Sequence, residues 1–291
     1  MRGLPTKDFA YDPANFSVTD DIKEQYSSNG FVVIRKLFNS GEVAKITEAA
    51  EDENGITKYA LISDHAKKLT LWNKPGNDIT GVISQSEKIA GTMTELMGGE
   101  IYPYHGKLIM KEAFSGGAHL WHQDYGYWYP NGCLFPDMGT AYIAVDKCTV
   151  ENGCLEVLKA SHLAGRLDHN YNMSQMEADP DRVDALKKIC EHVYVCLEPG
   201  DAVFFHCKLV HQAKENRSPN RRYALLYAYN RASNNSFKPH FHASYFPMKI
   251  LANSEIMKCT NKDMSGKDFL DPSVLESKSL MKDQVYLQRV H

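Results

Sequence analysis

Residues 31–38, FVVIRKLF, are a run of β-branched and aromatic residues between two stretches with helical spacing. Before it, VTDDIKEQYSSNG (18–30) predicts a short capped helix that stops at Gly30. After it, NSGEVAKITEAAED (39–52) puts Val43, Ile46, Ala49 and Ala50 on one helix face, with Ser40 as the cap. ISQSEKIAGTMTELM (83–97) predicts a further helix. From about residue 100 the pattern changes to short β-like runs: EIYPYHGKLIMKEAF, GTAYIAVDKC, CLEVLKAS, HVYVCLEP, DAVFFHC and RRYALLYAYN. Turn-forming clusters such as NGC, ENG, EPGD and NRSPN separate most of them. Many short strands with turn signals predict a mainly β jelly roll. The stretch YNMSQMEADPDRVDALKKICE (171–191) interrupts this order and predicts a partly helical insertion.

These elements predict a single domain over 1–291. Its β-core spans about 100–230, N-terminal helices fill about 17–97, and an irregular tail runs from about 250 to 291. Apolar residues make up 43% of the chain and aromatic residues 11%, enough for a substantial core. Lys plus Arg number 33 and Asp plus Glu 36, a net charge of −3, which lacks the basic excess of a nucleic-acid binder. The seven cysteines are dispersed, with no CxxC, as expected in a reducing compartment. The opening MRGLPTKDFAYDP has no apolar core of a secretory signal, and no apolar run is long enough to span a bilayer. A cytoplasmic protein, monomeric or homodimeric, with neither nucleic-acid nor membrane partners is the expectation.

The chemistry concentrates in HLWHQDYGYW (119–128). In a strand, residues two apart point the same way, so His122 and Asp124 share a face and Gln123 points opposite. An imidazole beside a carboxylate can hold two adjacent positions on a metal, and His211, in HCKLVHQAKENRSPNRR, is the best third ligand. Two imidazoles and one carboxylate suit non-heme Fe(II) oxygenases, while zinc remains the rival metal and would imply a hydrolase or a structural site. Arg221 and Arg222 follow His211 by ten and eleven residues, where a returning strand brings a guanidinium beside the metal to grip a carboxylate. The H-x-D pair alone is weak, because chance occurrences on protein surfaces are common.

Taken together, HLWHQDYGYW, VDKCTVENGCLEVLKASH and LEPGDAVFFHCKLVHQAKENRSPNRRYAL, with NGFVVIRKLFNSGEV near the start, resemble the phytanoyl-CoA dioxygenase family, in order, from about Ser17 to Asn230. The resemblance implies a double-stranded β-helix, cupin-like, using Fe(II), 2-oxoglutarate and O2, with ascorbate as a candidate reductant. It implies His122, Asp124 and His211 as iron ligands, and Arg222 as the clamp for the distal carboxylate of 2-oxoglutarate, with Arg221 as the fallback. It places Lys111 and Tyr142 at positions that face the co-substrate. Some members carry a hydroxyl residue two after the distal histidine, where this chain has Ala213. Related halogenases replace the carboxylate ligand with a small residue, so Asp124 favours hydroxylation.

The resemblance also carries a substrate expectation, since proline and ectoine hydroxylases of the family have aromatics in the same segment. Tyr127 and Trp128 are candidate substrate contacts, even as a cation-binding surface, with Arg166 and Asn230 as further candidates. The bland alternative is that strand aromatics, His105, His119, His162, His169 and His206 are packing or surface residues. The expected function is hydroxylation of an unactivated C–H of a small organic substrate, such as an amino acid or amine-bearing metabolite. An acyl-CoA hydroxylase and an inactive metal-binding cupin-like protein are the alternatives.

Overall fold

The computed structural model describes residues 3–62, 68–115, 117–172 and 175–270. Two sheets face each other. The larger runs β1 (Asp8–Ala10), β2 (Phe31–Arg35), β12 (Ala202–His206), β7 (Met138–Ala144), β14 (Arg222–Arg231), β5 (Ile101–Lys111), β4 (Lys68–Trp72) and β3 (Leu61–Ile62). The smaller runs β11 (His192–Val195), β8 (Leu155–Leu158), β13 (His211–Ala213) and β6 (His119–His122). All these pairings are antiparallel except β1 with β2. This is the double-stranded β-helix. A separate hairpin joins β9 (His169–Asn172) to β10 (Gln175–Ala178).

The central strands of the larger sheet are buried on both faces, which is why they read as continuous apolar runs. Alternate residues divide between two cores. Val32, Ile34, Ala141, Ile143, Phe204 and Leu225 pack outward beneath the helices. Phe31, Val33, Tyr142, Val203, Phe205 and Leu226 pack inward against Val157 and Leu209.

Helix α1 (Asp20–Asn29) is capped by Thr19 and ends where Gly30 turns left-handed, at φ 81°, to bond Tyr26 O. Helix α2 (Ser40–Glu51) starts one residue earlier than expected: Asn39, not Ser40, is the cap, and it forms a reciprocal capping box with Glu42. The single helix expected over 83–97 is instead α3 (Ile79–Ser84), a π-helical turn over Glu87–Gly91 and α4 (Thr92–Met97). Asp78 starts this series by accepting from the Thr80 and Gly81 amides. Lys88, on the π turn, reaches back to make a buried ion pair with Glu42 at 2.6 Å.

Helix α5 (Asp124–Trp128) follows β6 directly, and the insertion contributes the β9–β10 hairpin and helix α6 (Pro180–Lys187). The tail is less irregular than expected. It forms α7 (Ser254–Lys258), Leu251 bridges Ser86, and Phe269 bridges Trp72. Residues 271–291 of that expected tail lie outside the described residues. No described helix is long and apolar enough to cross a membrane.

Candidate active site

The site is assembled where β6 and β13 pair. The register sets His211 directly opposite His122, and their ring centroids lie 4.1 Å apart. Each ring is turned by the same device. His122 Nδ1 bonds Leu120 O at 2.6 Å and His211 Nδ1 bonds Leu209 O at 2.9 Å, in both cases the carbonyl two residues back. With Nδ1–H donating, each Nε2 carries a lone pair free for a metal.

Asp124 reaches the same point by a different local structure from the one expected. The strand ends at His122, Gln123 is extended, and Asp124 is the first residue of α5. Gln123 fixes this turn: its side-chain amide donates to Gly165 O and Lys208 O and its carbonyl accepts from the Leu167 amide. His169 Nε2 accepts from the Gln123 amide at 2.9 Å, and the Tyr125 amide donates to Cys207 O at 2.9 Å. Asp124 Oδ1 then lies 4.0 Å from His122 Nε2 and 3.9 Å from His211 Nε2. The three ligand atoms lie within 4.8 Å of one another, and all three residues are buried.

Burial holds His122 well below the ordinary histidine range, and it lowers His211 as well, against the opposing pull of Asp124. Neutral imidazoles beside a carboxylate present two lone pairs and one anionic oxygen, so the residues fit a divalent metal with three positions left open.

Thr140 is the contributor that sequence reading missed. Its hydroxyl donates to Asp124 Oδ2 at 2.8 Å and leaves Oδ1 aimed at the histidines. It lies two residues before Tyr142 on β7, so the alternation that turns Tyr142 inward also turns Thr140 inward. That was the available signal. Thr140→Val is expected to lower Fe(II) affinity or turnover by roughly 10- to 100-fold, with Thr140→Ser retaining most of both. Metal titration beside initial rates checks it, and a loss shared equally by the serine variant would contradict the hydrogen bond's role.

Behind the triad, Arg222 is 1% exposed. Its Nη1 donates to the Tyr142 hydroxyl and its Nη2 to Gly153 O, each at 2.9 Å. Its Nε–H is buried with no hydrogen-bond partner among the described residues. A buried guanidinium held by two neutral oxygens with one donor unspent is a fitting seat for a carboxylate. Burial raises the Tyr142 phenol well above its ordinary range, so it stays a neutral hydroxyl there.

Lys111 lies opposite Arg222 in the register and donates to the carbonyls of Ala213 and Lys214. Arg221, the fallback, points to the opposite face, pairing with Glu51 at 2.6 Å and Asp146 at 3.2 Å.

The four residues expected to meet substrate are placed differently from one another. Tyr127 stands edge-on to the His122 ring at 5.7 Å, with its hydroxyl tied to Met176 O. Trp128 is buried against Tyr104 and His105. Asn230, fully buried, is spent on the Tyr102 hydroxyl and on a reciprocal pair of bonds with Asn234. Arg166 pairs with Asp168 and covers the Tyr129 ring. Of the four, Tyr127 is the one with a ring contact to a triad side chain, the His122 imidazole.

The sequence profile of the family described as phytanoyl-CoA dioxygenase (PhyH) matches residues 26–224, a range that includes His122, Asp124, His211 and Arg222. The chain belongs to this family. Membership makes it an Fe(II)- and 2-oxoglutarate-dependent dioxygenase. Among relatives, L-proline trans-4-hydroxylase of Streptomyces griseoviridis is 26% identical over 238 residues, covering 75% of this chain and 89% of that protein. Ectoine dioxygenase of Stutzerimonas stutzeri is 24% identical over 245 residues, covering 77% and 80%. The crystal structure of EctD from S. alaskensis with 2-oxoglutarate and 5-hydroxyectoine has a TM-score of 0.64 at 19% identity, covering 81% of this chain and 88% of that one. The last likeness is one of fold.

Proposed function

We propose that this dioxygenase hydroxylates an unactivated C–H bond of a small, amine-bearing organic molecule such as a free amino acid. One observation carries the reaction: two imidazole nitrogens and one carboxylate oxygen converge within 4.8 Å, with both histidine rings locked by backbone carbonyls. Two features support the substrate class. L-Proline trans-4-hydroxylase is similar over three quarters of the chain, and Tyr127 offers a ring beside the triad.

His122, Asp124 and His211 would hold Fe(II), and Arg222 with the Tyr142 hydroxyl would hold the far carboxylate of 2-oxoglutarate. Bound together, Fe(II) and 2-oxoglutarate supply the chemistry that activates O2 and oxidises a C–H bond. The chain's own part is position and dryness. Its buried strands fix the three ligands and Arg222 before anything binds, so little reorganisation remains for the reaction. Apolar packing around Tyr142, Val157 and Phe205 keeps water from the closed end. No side chain of the site is needed as an acid or base.

The test is a screen of free amino acids, small amines and acyl-CoAs that reads succinate formed from 2-oxoglutarate under air. One or more amino acids should raise succinate well above the rate without substrate. Stimulation by acyl-CoAs alone would overturn the substrate class. Metal-dependent hydrolysis indifferent to 2-oxoglutarate would overturn the oxidative function itself.

A further inference from the structure

Strand β5 carries a cation that none of the roles above uses. Gly106 faces outward, because a Cβ there would collide with the Trp72 ring of the outer core. Lys107 therefore faces inward. So do Ile109, which packs on the inner core, and Lys111, which reaches the β13 carbonyls. In register, Lys107 lies beside Leu226 of β14, and Leu226 lies beside Tyr142 of β7. The next row toward the barrel mouth is His105, Ala228 and Thr140, the residue that holds Asp124. Lys107 is thus about 13 Å along the strand from Lys111, at the metal's end of the barrel rather than at Arg222's.

Among the described residues the Lys107 side chain has no hydrogen bond and no ion pair, and the residue is half-buried, so one side of it meets open space. Inward-facing Lys107 and Arg222 are two cations, and Arg222 directs two of its donors to neutral oxygens and keeps its Nε–H unspent. Asp124 is the carboxylate set among them. Fe(II) adds two positive charges and 2-oxoglutarate returns two negative ones, so a positive excess remains in a low-dielectric space. The two carboxylates of 2-oxoglutarate also already have cations, one the metal and the other Arg222. The unmatched charge is that of Lys107.

We infer that Lys107 anchors a carboxylate of the substrate, which makes the substrate class carboxylate-bearing small molecules rather than neutral or purely cationic amines. This rests on the proposed oxygenase reading. A carboxylate held there lies beside the metal row, and the rest of the molecule extends toward Tyr127 and the mouth.

The experiment uses the full chain with Fe(II), 2-oxoglutarate and air. It compares L-proline, ectoine and the other free amino acids, each amino acid beside its primary amide, with succinate as the readout. Free carboxylates should stimulate turnover, and the amide of the best one should lose roughly 10- to 100-fold in kcat/KM, the range for a charge-assisted bond. Lys107→Met should impose the same loss on the acid and almost none on the amide, while Lys107→Arg retains the preference. Anaerobic titration of the Fe(II) enzyme with 2-oxoglutarate, followed by its charge-transfer absorption, should give an unchanged midpoint in Lys107→Met.

A midpoint weakened by the same factor would move Lys107 to the co-substrate and overturn the inference. So would amides as effective as acids, or substrate-independent succinate formation that no carboxylate stimulates. In those cases the oxygenase reading stands. Absence of any 2-oxoglutarate turnover overturns that reading, and the inference with it.

Discussion

His122→Ala, Asp124→Ala and His211→Ala are each expected to abolish 2-oxoglutarate-dependent turnover, a fall of at least about a thousand-fold, while the protein still folds. The magnitude follows because a metal supplies several kcal/mol of the barrier reduction, and each removed ligand takes one of three fixed attachment points. The persistence of the fold follows from what the side chains touch. Among the described residues the two rings hydrogen-bond only the carbonyls two residues back, Leu120 O and Leu209 O, and the Asp124 side chain bonds Thr140. Strand pairing between β6 and β13 runs through the backbone and survives truncation. A loss of roughly 1–3 kcal/mol of stability is expected for each, from one hydrogen bond and a small cavity. Turnover, Fe(II) binding and thermal unfolding should be measured on the same preparations. Wild-type turnover in both His122→Ala and Asp124→Ala would remove the metal assignment, and collapse of the fold in all three would show that the triad is structural.

Arg222→Met is expected to weaken 2-oxoglutarate binding by about 100-fold or more with only a small change in stability. Among the described residues the buried guanidinium has no carboxylate partner and bonds two neutral oxygens, Tyr142 Oη and Gly153 O. Burying a charge so sparsely matched is unfavourable, so an apolar side chain of similar length offsets much of what the lost bonds contributed. A net stability change within about 2 kcal/mol in either direction is expected. The co-substrate has no such substitute, because a dicarboxylate entering a closed apolar end needs a fixed cation there. Arg221→Met is the internal control: Arg221 is tied to Glu51 and Asp146 on the other face and should leave 2-oxoglutarate affinity unchanged. Calorimetric titration of both variants decides. Equal affinity in wild type and Arg222→Met would leave the buried guanidinium without a co-substrate role.

The sequence alone determined a good deal here. Short apolar runs punctuated by turn residues gave a mainly β core: β2, β5, β8, β11 and β12 fall within runs read as strands, and β7 and β14 each overrun theirs by one residue. The period of two set His122 and Asp124 on one side. That conclusion survives although Asp124 opens a helix, since the extended Gln123 carries the alternation one residue past the strand. It also separated Arg221 from Arg222, but could not say which faced the cavity. In a sheet covered on both sides, both faces are apolar, and alternation shows that two faces exist without showing which layer lies against each.

That choice belonged to the tertiary structure. Pairing of β13 with β6 brought His211, 89 positions after His122, directly opposite it. Threading β7 and β14 through the middle of the larger sheet put Thr140 on Asp124 and Arg222 on Tyr142. The same packing drew Trp128 and Asn230 into the interior, where neighbouring rings and Asn234 occupy them, and turned Lys107 inward with no ion pair among the described residues. A side chain's chemistry is written in the residue type, but its function depends on which partners packing leaves it, and contacts between residues so distant in the chain carry no local signal in the sequence.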